Sequence, residues 1–201
     1  MNTVEMEKDL GIVLSQDMKV SQQCMQAYAK ANKMLGFINR TITYKSKEIL
    51  LKLYKTLVRP HLEYCVVAWS PYYMKDKKLL EKVQHRFTRM IPELKSRCYE
   101  DRLKMLGLWS LEERRNRADL VEVYKMRNGL SKLKFDAFFE VDGSGRTRGN
   151  GLKLLKHRVV TDLRQHFFSE RVLNQWNALD NEVVTASSLN VFKRELAKRR
   201  H

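Results

Sequence analysis

Nucleotidyl transfer by two metal ions needs carboxylates that hold a pair of cations about 4 Å apart, and no two aspartates of this chain stand together to supply them. The nine aspartates are scattered and fall mostly at expected helix caps or faces. The five histidines, His61, His85, His157, His166 and His201, never recur at i, i+4, so no metal site is expected. Cys65, set among Val66, Val67 and Trp69, reads as a small core residue with no basic neighbour to make its thiol a nucleophile. The run Gly143-Ser144-Gly145-Arg146-Thr147-Arg148-Gly149 offers bare backbone N–H groups and two arginines to an anion. It lacks the Gly-Lys-Ser/Thr ending of a nucleoside-triphosphate loop, which leaves a basic linker or a contact to a nucleic-acid phosphate.

Binding chemistry is therefore what the residue types support. Lys75, Lys78, Lys82, Arg86 and Arg89 recur every three or four residues and form one stripe on a helix. Such a stripe can track a phosphate backbone or be a solvated face, because Asp76, Glu81 and Glu93 dilute its charge. From Gly145 to His201 the chain carries 12 Lys or Arg against 5 Asp or Glu. Within that stretch Arg146, Arg148, Lys153, Arg158, Arg199 and Arg200 are candidate phosphate contacts, the last two in a Lys198-Arg199-Arg200 ending that also suits nuclear import. Phe167, Phe168 and Trp176 keep helical spacing and read as core rather than as stacking platforms.

The elements that must position these residues are mostly helices. Val4, Met6, Leu10, Ile12 and Leu14 keep the near-alternation of one strand, with Val13 among the residues between them. No partner strand follows, which points to a larger parent protein. Ser21 is placed to cap a helix with Cys24, Ala27, Tyr28, Ala31, Met34, Leu35 and Ile38 on its apolar face. A second helix from Ser46 is expected to break before Pro60, and a third, mostly apolar one to run from Pro60 through Trp69. Asp76 is expected to cap the fourth, which carries the basic stripe and stops at Pro92. A short helix over Tyr99 to Leu106 ends near Gly107, and Ser110 with Glu113 makes a capping box for a long helix through Asn128 that Gly129 terminates. Residues Asp142 to Gly151 hold four of the eight glycines and mark a loop or hinge. Short extended pieces follow around Leu152, Leu154 and Val159-Val160, then one helix over Phe167 to Leu179 and a last from Ser188 burying Leu189, Phe192 and Leu196.

A chain of 201 residues is long enough for one good core or two small ones. Its three cysteines, 41 and 33 residues apart, suit neither a disulfide framework nor a CxxC zinc site. The longest uncharged stretch, Tyr64 to Met74, contains Pro71 and falls far short of the roughly 20 residues of a membrane span. With no signal peptide at its start, the chain is expected to be intracellular, in nucleus or cytoplasm. A net charge of +16 makes polyanions the natural partners. Charge alone also fits an acidic membrane surface or an acidic protein.

The order of several phrases narrows this. They are Glu7-Lys8-Asp9-Leu10-Gly11; Leu57-Val58-Arg59-Pro60-His61-Leu62-Glu63-Tyr64-Cys65 with Ala68-Trp69-Ser70-Pro71; and Leu80-Glu81-Lys82-Val83-Gln84. Then come Tyr99-Glu100-Asp101-Arg102-Leu103, Leu106-Gly107-Leu108, Ser110-Leu111-Glu112-Glu113-Arg114-Arg115, Arg146-Thr147-Arg148-Gly149, Phe167-Phe168-Ser169 and Val172-Leu173-Asn174-Gln175-Trp176-Asn177. Over nearly its whole length the chain resembles the region after the palm in reverse transcriptases of jockey-type LINE (non-LTR) retrotransposons. The resemblance implies a mainly α fold: a palm-edge strand remnant at 1–16, a helical thumb-like domain at 17–130, a linker with the basic Gly-rich loop at 131–156, and a basic helical segment with minor β at 157–201. It implies binding of RNA, RNA–DNA hybrid or single-stranded nucleic acid through phosphates, with the family's fingers and palm as further partners and no membrane. The family's catalytic aspartates and their Mg²⁺ belong to that palm, so no catalytic residue, no polymerase activity and no cofactor are expected here. A Met1 start beyond the palm suggests a truncated or degenerate element copy, or a gene model cut from one. The alternative is a basic helical protein-interaction module with no nucleic-acid role.

Overall fold

The first segment of the chain folds back on itself. In a computed structural model that describes residues 5–143 and 150–199, β1 (Met6–Asp9) pairs antiparallel with β2 (Ile12–Ser15), Asp9 facing Ile12 and Met6 facing Ser15. The turn is Leu10-Gly11, with φ of 44° and 88°. Two successive residues at positive φ make the tight reverse turn whose twist suits a hairpin. The sequence predicts a short strand with no partner nearby, and this turn supplies the partner from within the same segment. The facing is corrected too, for Leu10 and Leu14 are exposed whereas Val13 is buried, its N–H donating to Gln23 Oε1 at 2.9 Å.

After the hairpin the described chain is mainly helical. α1 (Ser21–Thr41) buries Cys24, Ala27, Ala31, Leu35 and Ile38, a stripe of three-four spacing. α2 (Lys47–Leu53) starts under the Ser46 hydroxyl, which accepts from the Ile49 N–H at 3.3 Å. It does not break before Pro60. A π-helical turn over Tyr54–Val58, with the Arg59 N–H bonded back to the Tyr54 carbonyl, carries the chain into α3 (Arg59–Glu63). Proline has no N–H and its ring crowds the preceding α-helical turn, so a widened turn absorbs it without ending the helix. The break comes instead at Cys65, whose φ of 52° separates α3 from the short α4 (Val66–Trp69). The third helix expected through Trp69 is thus in two pieces.

α5 (Met74–Arg89) packs on α1, and here both expected caps are corrected. Ser21 is the first residue of α1 and Asp76 lies inside the first turn of α5. Their side chains bond to each other, Ser21 Oγ donating to Asp76 Oδ2 at 2.6 Å. α6 (Tyr99–Leu106) ends at Gly107, and α7 (Leu111–Arg127) opens on the capping box and closes at Gly129, where the Leu130 N–H reaches the Lys125 carbonyl at 2.8 Å. The Tyr54 and Phe87 rings stack at 4.1 Å in a core with Leu50, Leu62, Trp69, Leu80 and Ile91.

The chain forms two compact units, residues 1–115 and 116–201, and the boundary falls within α7. In the second unit the flanks of the glycine-rich segment are held in place: Val141 bridges Leu154, and the buried Asn150 amide donates to the carbonyls of Trp176 and Leu179. The single helix expected over Phe167 to Leu179 is in two pieces, α9 (Phe168–Arg171) and α10 (Leu173–Asn177), and Phe167, extended at φ −65°, ψ 153°, separates α9 from the short α8 (Asp162–Gln165) ahead of it. α11 (Asn181–Val184) and α12 (Leu189–Lys198) follow, the latter capped by Ser188 and seating Phe192 against Tyr124 and Trp176. No helix among the described residues is long and apolar enough to cross a membrane.

Candidate nucleic-acid interface

α5 divides its faces by residue. Leu80, Val83, Gln84, Phe87 and Thr88 point inward, leaving Lys75, Lys78, Lys82, Arg86 and Arg89 exposed. Lys78, Lys82, Arg86 and Arg89 line one shallow groove together with Glu81 and His85. Lys75 does not join them. Its ammonium lies 5.5 Å from the Tyr73 ring centroid, in a separate hollow shared with Asp17 and Lys19.

Two of the acidic residues that dilute the stripe in sequence give their carboxylates to interior donors, although Glu81 also lines the groove. Asp76 is buried and accepts from Ser21. Glu81 accepts the Tyr99 hydroxyl and, at 3.0 Å, the Leu111 N–H, so its carboxylate serves the first turn of α7. Burial holds that carboxyl above its ordinary range, against the opposing pull of the two donors. Among the described residues no carboxylate lies within ion-pair distance of Lys78, Lys82, Arg86 or Arg89, and Arg86 reaches only the Asn32 side chain, at 3.4 Å. An exposed run of cations without neutralising partners is the arrangement that condenses onto phosphates.

The platform beneath the groove is a buried polar network. Gln84, fully buried, accepts from the Tyr54 hydroxyl at 2.7 Å and donates to the Tyr99 hydroxyl at 3.0 Å and the Trp109 carbonyl at 2.9 Å. Glu63 takes both arms of the Arg114 guanidinium, with Arg59 3.6 Å away. His85 stacks on Tyr99 at 3.5 Å between ring centroids. Burial, then the charges of Arg102 and Arg89, pushes the His85 pKa down. Arg102, whose guanidinium stands 5.5 Å from the Tyr99 centroid, is the residue that charge spacing missed. It is buried, and its Nε and Nη1 have no hydrogen-bond partner. Only its place in the Tyr99-Glu100-Asp101-Arg102 phrase marked it.

The remaining candidates belong to the second unit or lie outside the described residues. Arg158 is exposed and Lys153 half-buried beside the Val141–Leu154 bridge. Arg199 is ion-paired with Asp180 and donates to the Ala178 carbonyl at 3.4 Å, so it folds back onto its own unit. Arg146, Arg148 and Arg200, with the loop from Ser144 to Gly149, lie outside the described residues. Phe168 and Trp176 are buried, but Phe167 is 46% exposed with the Arg164 guanidinium 5.5 Å from its ring, which corrects the expectation that all three are core. Cys65 is corrected likewise: its left-handed backbone turns it out to solvent. The buried thiol is Cys24, pushed up to about 12 by desolvation. His61 and Cys65 are four residues apart in sequence, yet among the described residues no three His, Cys, Asp or Glu side chains converge to hold a metal ion. No family model, no curated protein and no solved structure matches this chain.

Proposed function

We propose that this chain is a post-palm piece of a non-LTR retrotransposon reverse transcriptase that holds nucleic acid by its phosphates and carries out no chemistry itself. The observation that carries the reading is the α5 groove, where Lys78, Lys82, Arg86 and Arg89 stand exposed while Asp76 and Glu81 spend their charge on interior donors. The phrase order supplies the family, and the net charge of +16 agrees in sign with a polyanionic partner. Polymerisation would require the palm of the family, its aspartates and its Mg²⁺.

The test is a fluorescence-anisotropy titration of the full chain against labelled single-stranded RNA and RNA–DNA hybrid at a series of salt concentrations. Affinity that falls steeply with salt is expected. A signal that is absent, or indifferent to salt, would end the nucleic-acid reading, and capture of an acidic protein that survives nuclease digestion would replace it with the protein-interaction module.

A further inference from the structure

Arg102 is in an expensive position. Its side chain is only 2% exposed, Nε and Nη1 make no hydrogen bond, and no carboxylate lies within ion-pair distance of it among the described residues. Leaving charged donors unpaired on a buried guanidinium costs more than leaving neutral ones. The neighbours add to that cost: the charge of Arg89 bears on Arg102, and both bear on His85, with Glu100 among the groups that oppose them. Yet the fork is firmly placed. It stands by the ring of Tyr99, which stacks on His85 and is anchored through its hydroxyl to Glu81 and Gln84. Arg89 and His85 both line the α5 groove. A rigid, donor-rich, uncompensated cation bordering two groove residues is what a bound anion would satisfy, since an arginine fork fits phosphate oxygens with paired hydrogen bonds.

We propose that Arg102, with Arg89 and His85, seats a single phosphate group at one end of the α5 groove. The inference rests on the nucleic-acid reading for the source of that phosphate, but the seat itself recognises the group and not the polymer. Arg102 supplies the fork, Arg89 an exposed second cation, and His85 a ring N–H. A backbone phosphate fixed here would set the register of a strand whose other phosphates run along Arg86, Lys82 and Lys78.

The test uses the full chain, melted in inorganic phosphate and in chloride at matched ionic strength, and titrated in parallel with labelled single-stranded RNA. The variants are Arg102→Met, Arg89→Gln and, as a control, Lys104→Gln, an exposed cation on α6 that does not line the groove. Phosphate is expected to raise the melting temperature of the wild type and of Lys104→Gln by about 2–4 °C and to leave the other two unmoved. Arg102→Met is expected to melt no lower than the wild type in chloride, because an uncompensated charge has been removed. It should also bind RNA about tenfold more weakly, with the salt slope reduced by about one. An equal phosphate response in wild type, Arg89→Gln and Arg102→Met would overturn the seat, as would no response in any of them. A chloride melting point for Arg102→Met well below the wild type would overturn it too, by showing that existing contacts already compensate the guanidinium. Because Arg89 is exposed, Arg89→Gln tests the second cation of the seat on a side chain outside the core. A phosphate response through Arg102 without RNA binding would leave the seat standing and sink the nucleic-acid reading. RNA binding with no phosphate response would do the reverse.

Discussion

Replacing Lys78, Lys82, Arg86 and Arg89 together by glutamine removes the four groove cations that no carboxylate neutralises, and touches none of the inward positions of α5. Each phosphate contact to a single strand contributes about 0.7 to the slope of log affinity against log salt, and each contact to a duplex about 0.9. Four contacts therefore account for a slope of about 3 on single strands. Between 50 and 200 mM salt that slope alone is a loss of about 50-fold in affinity, rising to about 150-fold for a duplex. The quadruple variant should lose this part of the salt dependence and leave a shallower residue from cations elsewhere. Anisotropy titrations at five salt concentrations, with far-ultraviolet circular dichroism to confirm that α5 still folds, measure it directly. An unchanged slope would refute the assignment of the groove, because it would mean that none of the four side chains releases a counterion on binding.

Three further outcomes follow from the scaffold. Gln84→Leu strands the fully buried Tyr54 hydroxyl and withdraws the donors to Tyr99 and Trp109, a loss of about 3 kcal/mol that should lower the melting temperature on the order of 10 °C; a loss of 1–2 °C would show that the network is not what holds the unit. Glu81 has its carboxyl raised above the unfolded value by burial, so its contribution is complete below the unfolded pKa of about 4.5 and is lost as pH rises through the higher folded value. Urea unfolding from pH 4 to 8 should show that decline in the wild type and a flatter profile in Glu81→Gln, whereas an unaltered profile would assign the slope to another group. Gly11→Ala places a side chain at φ 88° and should cost the hairpin about 1 kcal/mol, while Leu10→Asn should stabilise it, both read from amide exchange at Val13 and Leu14.

What the sequence disclosed depended on whether the signal was local. The capping box at Ser110 and Glu113, the Gly107 and Gly129 stops and the apolar stripe of α1 are set by neighbours three or four residues away, and they form where spacing placed them. Ser21 and Asp76 are capping types by composition, but 55 residues separate them and their hydrogen bond exists only after α1 and α5 pack. The Leu10-Gly11 turn was hidden because Leu10 fits an alternating apolar pattern and because leucine at positive φ has no propensity signal. Pro60 was read by the usual rule, and a π turn is the less frequent way of obeying the same steric demand. In the site, the helical period put Lys78, Lys82, Arg86 and Arg89 on one face, but it could not show that Lys75 departs from them or that Arg102 arrives from α6.

The same helix carries two kinds of information that sequence spacing mixes. Most of the phrases that bear the family resemblance place their residues inside: Glu63 on Arg114, Gln84 on Tyr54 and Tyr99, Glu81 on Leu111. They specify a scaffold, and a scaffold by itself is silent about what it binds. The groove cations are different, for Lys78, Arg86 and Arg89 stand outside those phrases and make no contribution to the network. Resemblance and charge are for that reason separate warrants that can fail separately. Of the phrase residues, Glu81 and Lys82 line the groove, and Arg102 stands by the Tyr99 ring that stacks on the groove's His85. Arg102 is the more informative because its unmade hydrogen bonds lie by the ring stack of a groove residue, where a phosphate would use them.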